Sequence, residues 1–465
     1  MRERLGADAA TRRSRSGMLR GQSGSGDRIF SALATGALVL ACGMACAVAT
    51  QVSVFLLPAS QVRVPPPAGA LGAEERFARG QFLEVQSYLD SVPRSSLEKN
   101  AGALALYGRV LLARGDFEAA WPVLQRALRL ESRASRRGEI EWDLSQGAIL
   151  WNEFGLAEEY ARAAVNDGHG LVPGFLHFLE AMRDVDLYAG PAIGEEHESG
   201  FSMKDFDLLR VPVRVNGFAS AAIIDSGAVY TILTESFARQ AGIREIPDSG
   251  AYGRGLHKKE FPVSFGVLDR LEFGGFSLIG VPVMLMPDDA LLFETTRGQF
   301  PVPFVLGLHL LKEFTTDIDY QARRLRLTRT DFRVPKREAG QNLFFHGGRM
   351  FVRTSIDRNG FYQFLFDTGS EPTLMTSAGL MRAGLPSSSK LYPRKVYGLG
   401  QSSVEWGVVH EVTLGVAGYG ARFKDIAVKE DENAFEDGVL GNSFLKYFRV
   451  RIDFSRMVLS LRESR

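Results

Sequence analysis

Cysteine is nearly absent. The 465-residue chain has two, Cys42 and Cys46, both inside one N-terminal apolar stretch. Everything after Cys46 therefore lacks a disulfide framework, a thiolate zinc site and a cysteine nucleophile. Its seven histidines are scattered, with no H-E-x-x-H pair, and there is no G-x-S-x-G elbow and no G-x-x-x-x-G-K-[ST] loop. These absences count against metalloprotease, serine-hydrolase and nucleotide-binding readings, and nothing calls for a metal or a cofactor. Charge of one sign is lacking too, since 55 basic and 54 acidic residues leave a net +1. Seven arginines against Glu3, Asp8 and Asp27 put +4 into the first 28 residues, so the remainder carries −3 and offers no basic face for nucleic acid.

What is abundant is glycine, at 49 residues, and phenylalanine, at 32. That pairing suits β structure with many tight turns. The length allows two to four domains at roughly 100–200 residues each. The reading that follows is a mixed multidomain chain: an N-terminal membrane segment, an α-helical repeat domain, then an all-β bilobal domain.

Residues 1–62 read as a basic tail and an apolar segment. Ile29 to Val62 is a run of 34 residues without charge, where about 20 suffice for a span. The arginines before it place the N-terminus in the cytoplasm and the bulk of the chain outside, with residues 29–57 as the membrane contact. A retained anchor, a signal peptide cleaved at Ala47-Val48-Ala49 and a lipoprotein signal at Cys42 all export the main body. Val64-Pro65-Pro66-Pro67-Ala68-Gly69 reads as a stiff linker.

Residues 72–185 read as helical, with a weak repeat whose units carry Gly80, Gly115 and Gly155, spaced 35 and 40 residues apart. The middle unit, from Ala103-Leu104-Ala105-Leu106-Tyr107-Gly108 to Leu124-Gln125-Arg126-Ala127-Leu128, resembles a tetratricopeptide repeat. A plain α-helical domain of four to six helices fits the same pattern. Such a surface is a binding or positioning module for a protein partner. Glu195-Glu196-His197-Glu198 reads as a solvated loop.

From about Asp207 short alternating apolar runs broken by Gly, Pro and Asn predict strands and hairpins, and this half repeats itself over residues 207–332 and 340–463. Ile223-Ile224-Asp225-Ser226-Gly227 is echoed by Leu365-Phe366-Asp367-Thr368-Gly369, and Thr231-Ile232-Leu233-Thr234 by Thr373-Leu374-Met375-Thr376. Tyr252-Gly253 pairs with Tyr397-Gly398, and Val305-Leu306-Gly307 with Val439-Leu440-Gly441. Ile318-Asp319 and Ile452-Asp453 close the two copies. Asp248-Ser249-Gly250 is a third tripeptide of the kind. It follows Arg244, Glu245 and Pro247 instead of an apolar strand, and reads as a turn.

On these residues, 207–463 resembles the aspartic proteases of the pepsin/retropepsin type, with both lobes in one chain. The resemblance implies a closed β fold whose two loops meet at a pseudo-twofold axis, with Asp225 and Asp367 as the catalytic pair. It implies that Ser226 and Thr368 hydrogen-bond across the interface, that Gly227 and Gly369 allow close approach, and that strands at Gly307 and Gly441 pack beneath the loops. Tyr252, Gly253, Tyr397 and Gly398 are candidate flap residues. Asp319 and Asp453 read as structural, and His257, His309, His346 and His410 as surface or core histidines.

Two adjacent carboxyls cannot both ionise cheaply, so they share a proton: one accepts a proton from water while the other donates to the scissile carbonyl. The sequence thus predicts an aspartic endopeptidase acting on extended protein segments outside the cytoplasm. A catalytically silent protein-binding module or assembly scaffold is the alternative.

Overall fold

The computed structural model describes residues 38–39, 51–63, 72–204, 207–254, 260–295, 298–333, 340–385, 394–397, 403–431 and 434–463. Helices come first. Ala73–Ala78 with Phe82–Ser91, Ala101–Ala113 with Phe117–Leu130, and Ala134–Leu150 with Phe154–Asn166 make three helical hairpins, and Pro173–Met182 follows them. Asn100 and Asp116 cap the second pair, each accepting a backbone N–H three residues on. Each hairpin turns through a residue of positive φ: Gly80 (68°), Gly115 (73°) and Asn152 (64°). The third turn does not use the glycine of its repeat unit. Gly155 lies inside the helix Phe154–Asn166, and Asn152 takes the left-handed position that asparagine tolerates.

Two sheets then follow one strand order. In lobe 1 it runs Ala251–Arg254, Glu260–Leu268, Val281–Met286, Thr231–Thr234, Phe304–Leu306, Phe218–Ile224 and Arg210–Val215. In lobe 2 the counterparts are Arg394–Tyr397, Ser403–Val416, Tyr419–Lys429, Leu374–Thr376, Gly438–Leu440, Asn359–Phe366 and Arg349–Ile356. Strands at the rim alternate: Arg210–Val215 buries Val211, Val213 and Val215 and exposes the residues between. Val281–Met286, covered on both faces, is buried throughout.

A third sheet joins the lobes, in the order Val458–Glu463, Phe448–Asp453, Phe314–Asp319, Arg324–Arg329 and Glu196–Gly200. Phe314–Asp319 of lobe 1 and Phe448–Asp453 of lobe 2 pair antiparallel, with Thr316 opposite Ile452, Asp317 opposite Arg451 and Ile318 opposite Val450. Counted from Gly307 and Gly441, Asp317 and Arg451 are equivalent positions, so the pseudo-twofold axis passes between them; Arg451 donates to Asp317 at 2.6 Å. Asp319 accepts from Ala322 N and pairs with Arg449, and Asp453 accepts from Ser455 and Arg456, both in strand-end roles. The run Glu195-Glu196-His197-Glu198 is not a loop. Glu196–Gly200 is a strand whose Glu196 and Glu198 lie against Arg326 and Arg324 of its neighbour, a cross-strand charge match that offsets its poor strand propensity.

The N-terminal apolar run is corrected as well. Val52–Leu56 is a strand on the lobe 2 sheet, antiparallel to Tyr419–Lys429, and Leu57 is buried. Residues 52–57 therefore belong to the β fold and not to a membrane contact. Leu38–Val39 pairs with Gly253 and Arg254. No helix among the described residues is long and apolar enough to cross a membrane. Cys42, Cys46, Ala47-Val48-Ala49 and the proline linker lie outside the described residues.

The helices do not stand apart from the sheets. Gln363 of lobe 2 donates to the Gly80 carbonyl at 2.7 Å, and Phe82 packs against Phe344. On lobe 1, fully buried Lys312 donates to Asn152 (2.6 Å) and Glu313 (2.7 Å), while Asn152 donates to Glu313. Phe117 and Leu150 belong to the same buried cluster as strands of both lobes.

Candidate active site

Each candidate aspartate ends a strand that is held from one side. The strand Phe218–Ile224 runs parallel to Phe304–Leu306, and Asp225 N–H donates to the Leu306 carbonyl at 3.0 Å. Asn359–Phe366 runs parallel to Gly438–Leu440, and Asp367 N–H donates to Leu440 at 3.2 Å. The glycine after each supporting strand is dictated by space. A Cβ at Gly307 would overlap the Tyr230 carbonyl, and one at Gly441 the Pro372 carbonyl. Both landmarks thus sit beneath the loops as the sequence predicts.

The two loops meet. Ser226 N–H donates to Thr368 Oγ1 at 3.0 Å and Thr368 N–H to Ser226 Oγ at 3.1 Å. The Ser226 hydroxyl donates to the Phe366 carbonyl (2.8 Å) and the Thr368 hydroxyl to Ile224 (2.9 Å). Each lobe therefore satisfies the other's buried polar groups. Asp225 Oδ1 accepts from Gly227 (2.8 Å) and Ala228 (3.1 Å), and Asp367 Oδ1 accepts from Gly369 (2.8 Å). A Cβ at Gly227 would lie 2.5 Å from the Asp367 carboxyl carbon, and one at Gly369 would overlap the Asp225 carboxyl. Glycine at these two positions is what lets the carboxyls come together.

Asp225 and Asp367 are each 1% exposed. Asp367 Oδ2 finds no N–H or hydroxyl donor among the described residues; its polar neighbour is the Asp225 carboxyl. Burial, then the charge of Asp225, then the hydrogen bond between the two hold Asp367 well above the usual carboxylate range. The two carboxyls are coupled and titrate as a unit.

Of the flap candidates, Tyr252 and Gly253 lie on the strand Ala251–Arg254, opposite Pro262 and Phe261, and Tyr252 is 59% exposed. Tyr397 ends the strand Arg394–Tyr397, opposite Ser403, at the matching place in lobe 2. Gly398 and His257 lie outside the described residues. Asp248-Ser249-Gly250 is a turn, with Asp248 at φ 54° and the Ser249 hydroxyl donating to Ile246. His309 is buried and His346 half-buried, each stacked on an aromatic ring, and His410 pairs with Asp425.

Sequence reasoning missed three supporting residues. Thr231 Oγ1 accepts from Gly307 N–H and Thr373 Oγ1 from Gly441 N–H, at 3.3 and 3.1 Å. These threonines open the repeated Thr-x-x-Thr landmark, so their duplication was the available signal. Asn442 donates to the Thr368 carbonyl at 2.8 Å and accepts from Tyr320 at 2.7 Å. Its counterpart is Leu308, so no repeat marked it.

Residues 211–310 and 352–444 match a family model described as aspartyl protease, one segment in each lobe. Among solved structures the chain is similar to a retropepsin-like aspartic protease from Rickettsia conorii, with 18% identity, 29% of this chain and 91% of that one covered, and a TM-score of 0.21. No curated protein matches the chain. The family match, with one Asp-[Ser/Thr]-Gly in each matched segment, supports an aspartic protease domain in the β region.

Proposed function

We propose that the β region is an aspartic endopeptidase in which Asp225 and Asp367 activate one water between them. The observation that carries this reading is the pair itself: two buried carboxyls, held by reciprocal hydrogen bonds between the loops, with burial and the neighbouring Asp225 charge raising Asp367 well above the usual carboxylate range. The ionised member takes a proton from water as it attacks the peptide carbonyl carbon. The protonated member donates to the carbonyl oxygen, giving a neutral gem-diol; proton transfer to the leaving nitrogen then lets the C–N bond break. The hairpins bearing Tyr252 and Tyr397 receive an extended segment by strand addition, which selects unfolded or protruding stretches of protein.

Export rests on the charge pattern, an arginine-rich head before an uncharged run. A leader removed after Ala47-Val48-Ala49 leaves Val52–Leu56 whole, whereas a retained anchor requires Leu38–Val39 to leave Gly253 and Arg254. N-terminal sequencing of the membrane and extracytoplasmic fractions separates the two.

The test of activity uses residues 51–465, which keep the Val52–Leu56 strand, on a denatured protein from pH 3.5 to 7.5. Wild type is expected to cut. Asp225→Asn and Asp367→Asn, folded by circular dichroism, are each expected to lose at least about 100-fold in kcat/KM. Equal cleavage by wild type and both variants would remove the pair from the mechanism.

A further inference from the structure

Helix Pro173–Met182 is the last helix before the β region, and it touches both the hairpin of lobe 1 and the segment that follows Asp225. Gly174 sits on the Gly250 carbonyl so closely that a Cβ would overlap it. Gly250 immediately precedes the hairpin strand Ala251–Arg254. His177 Nδ1 lies 2.9 Å from the Asp248 carbonyl in the turn that launches the same strand. Phe178 stacks on Phe265 of the return strand Glu260–Leu268, with ring centroids 4.2 Å apart, and meets Tyr230 edge-on at 5.5 Å. Tyr230 follows Asp225 by five residues, and its carbonyl is the group that Gly307 makes room for.

One helix therefore fixes the root of the hairpin, its return strand and the loop that carries Asp225. Lobe 2 is held differently. Its helical contacts reach Gln363 and Phe344, on strands away from Arg394–Tyr397. The two hairpins are equivalent in strand order, and among the described residues these contacts root the lobe 1 hairpin on a helix.

We propose that Gly174, His177 and Phe178 are positioning residues that set the stance of the lobe 1 hairpin over the aspartate pair, and thereby the grip on an extended substrate. The stance is read off the contacts alone; its effect on substrate rests on the protease reading above. A change at Gly174 or His177, whose contacts are with Gly250 and Asp248 and not with Tyr230, alters ground-state and transition-state binding together, because it shifts the hairpin root and leaves the carboxyls in place.

The experiment compares Gly174→Ala and His177→Ala with wild type in the full chain, which keeps the pairing of Leu38–Val39 with Gly253 and Arg254, by amide hydrogen exchange and by steady-state kinetics. Exchange across 249–254 and 260–268 is expected to quicken roughly tenfold in Gly174→Ala and roughly threefold in His177→Ala, with 403–416 and 225–228 within about twofold of wild type. KM for an extended peptide is expected to rise by a similar factor, with kcat within about twofold. Unchanged exchange in the lobe 1 hairpin in both variants overturns the proposal, as does an equal rise in both hairpins. If Gly174→Ala does not fold, the His177→Ala exchange pattern decides alone. Hairpin loosening as described, in a chain whose wild type cuts nothing, sinks the protease reading and upholds the positioning role.

Discussion

Protons are placed where burial and neighbouring charge force them. Burial and the Asp225 charge raise Asp367 above the usual carboxylate range, so the mono-protonated pair is expected to persist to higher pH than an isolated carboxyl would allow. The kcat/KM profile is accordingly expected to be bell-shaped. Its acid limb falls where both carboxyls are protonated and its alkaline limb where the pair loses its shared proton. Two other carboxyls carry a stability signature. Burial raises Glu371 to about 7, helped by the charge of Asp207, and burial raises Asp143 to about 7 as well. A raised carboxyl favours the protonated folded state, so its contribution is complete below the unfolded value near 4 and is lost as pH rises through 7. Tm is therefore expected to decline over that window, and Glu371→Gln or Asp143→Asn should each flatten part of the slope in a thermal-melt series.

The elements meet through few groups, so single hydroxyls matter. Thr368→Ala strips a donor from the Ile224 carbonyl and an acceptor from Ser226 N–H, and Ser226→Ala does the same to Phe366 and Thr368. Each is expected to cost about 1–3 kcal/mol in urea unfolding, and the double variant less than the sum, because the four bonds form one network. At this scale the sequence was legible where it repeats. Both Asp loops, both supporting glycines and both hairpins follow from landmarks written twice. It was illegible where a local pattern needs a distant partner. Glu196–Gly200 becomes a strand only because Arg324 and Arg326 lie beside it. Val52–Leu56, the tail of an uncharged run, looks like part of a span until Tyr419–Lys429 is there to pair with it. The third helical turn was illegible too, because the left-handed position falls on Asn152 and not on Gly155, the glycine that marks the repeat unit.

Across the whole molecule, the helices are a brace more than an arm. Phe82, Phe117 and Phe178 insert into surfaces of both lobes, and the Lys312–Glu313–Asn152 cluster is sealed between a helical turn and lobe 1. Deleting residues 72–185 would expose these apolar faces and leave Lys312 and Glu313 without Asn152. The remainder is expected to aggregate in gel filtration; a folded, active remainder would show the helices dispensable. The pairing of Phe314–Asp319 with Phe448–Asp453 has its own consequence. In a true twofold assembly the residue on the axis faces its own copy, and must be tolerable to itself. Here that position is Asp317 against Arg451. Like charges opposite one another in a ladder repel, so two first lobes would set Asp317 against Asp317, and two second lobes Arg451 against Arg451. The axis pair makes each half a partner for its counterpart and a poor one for itself. Should lobes ever exchange between two chains, the only unions free of that repulsion are those that rebuild the unlike pair, and with it a site holding one Asp-Ser-Gly and one Asp-Thr-Gly.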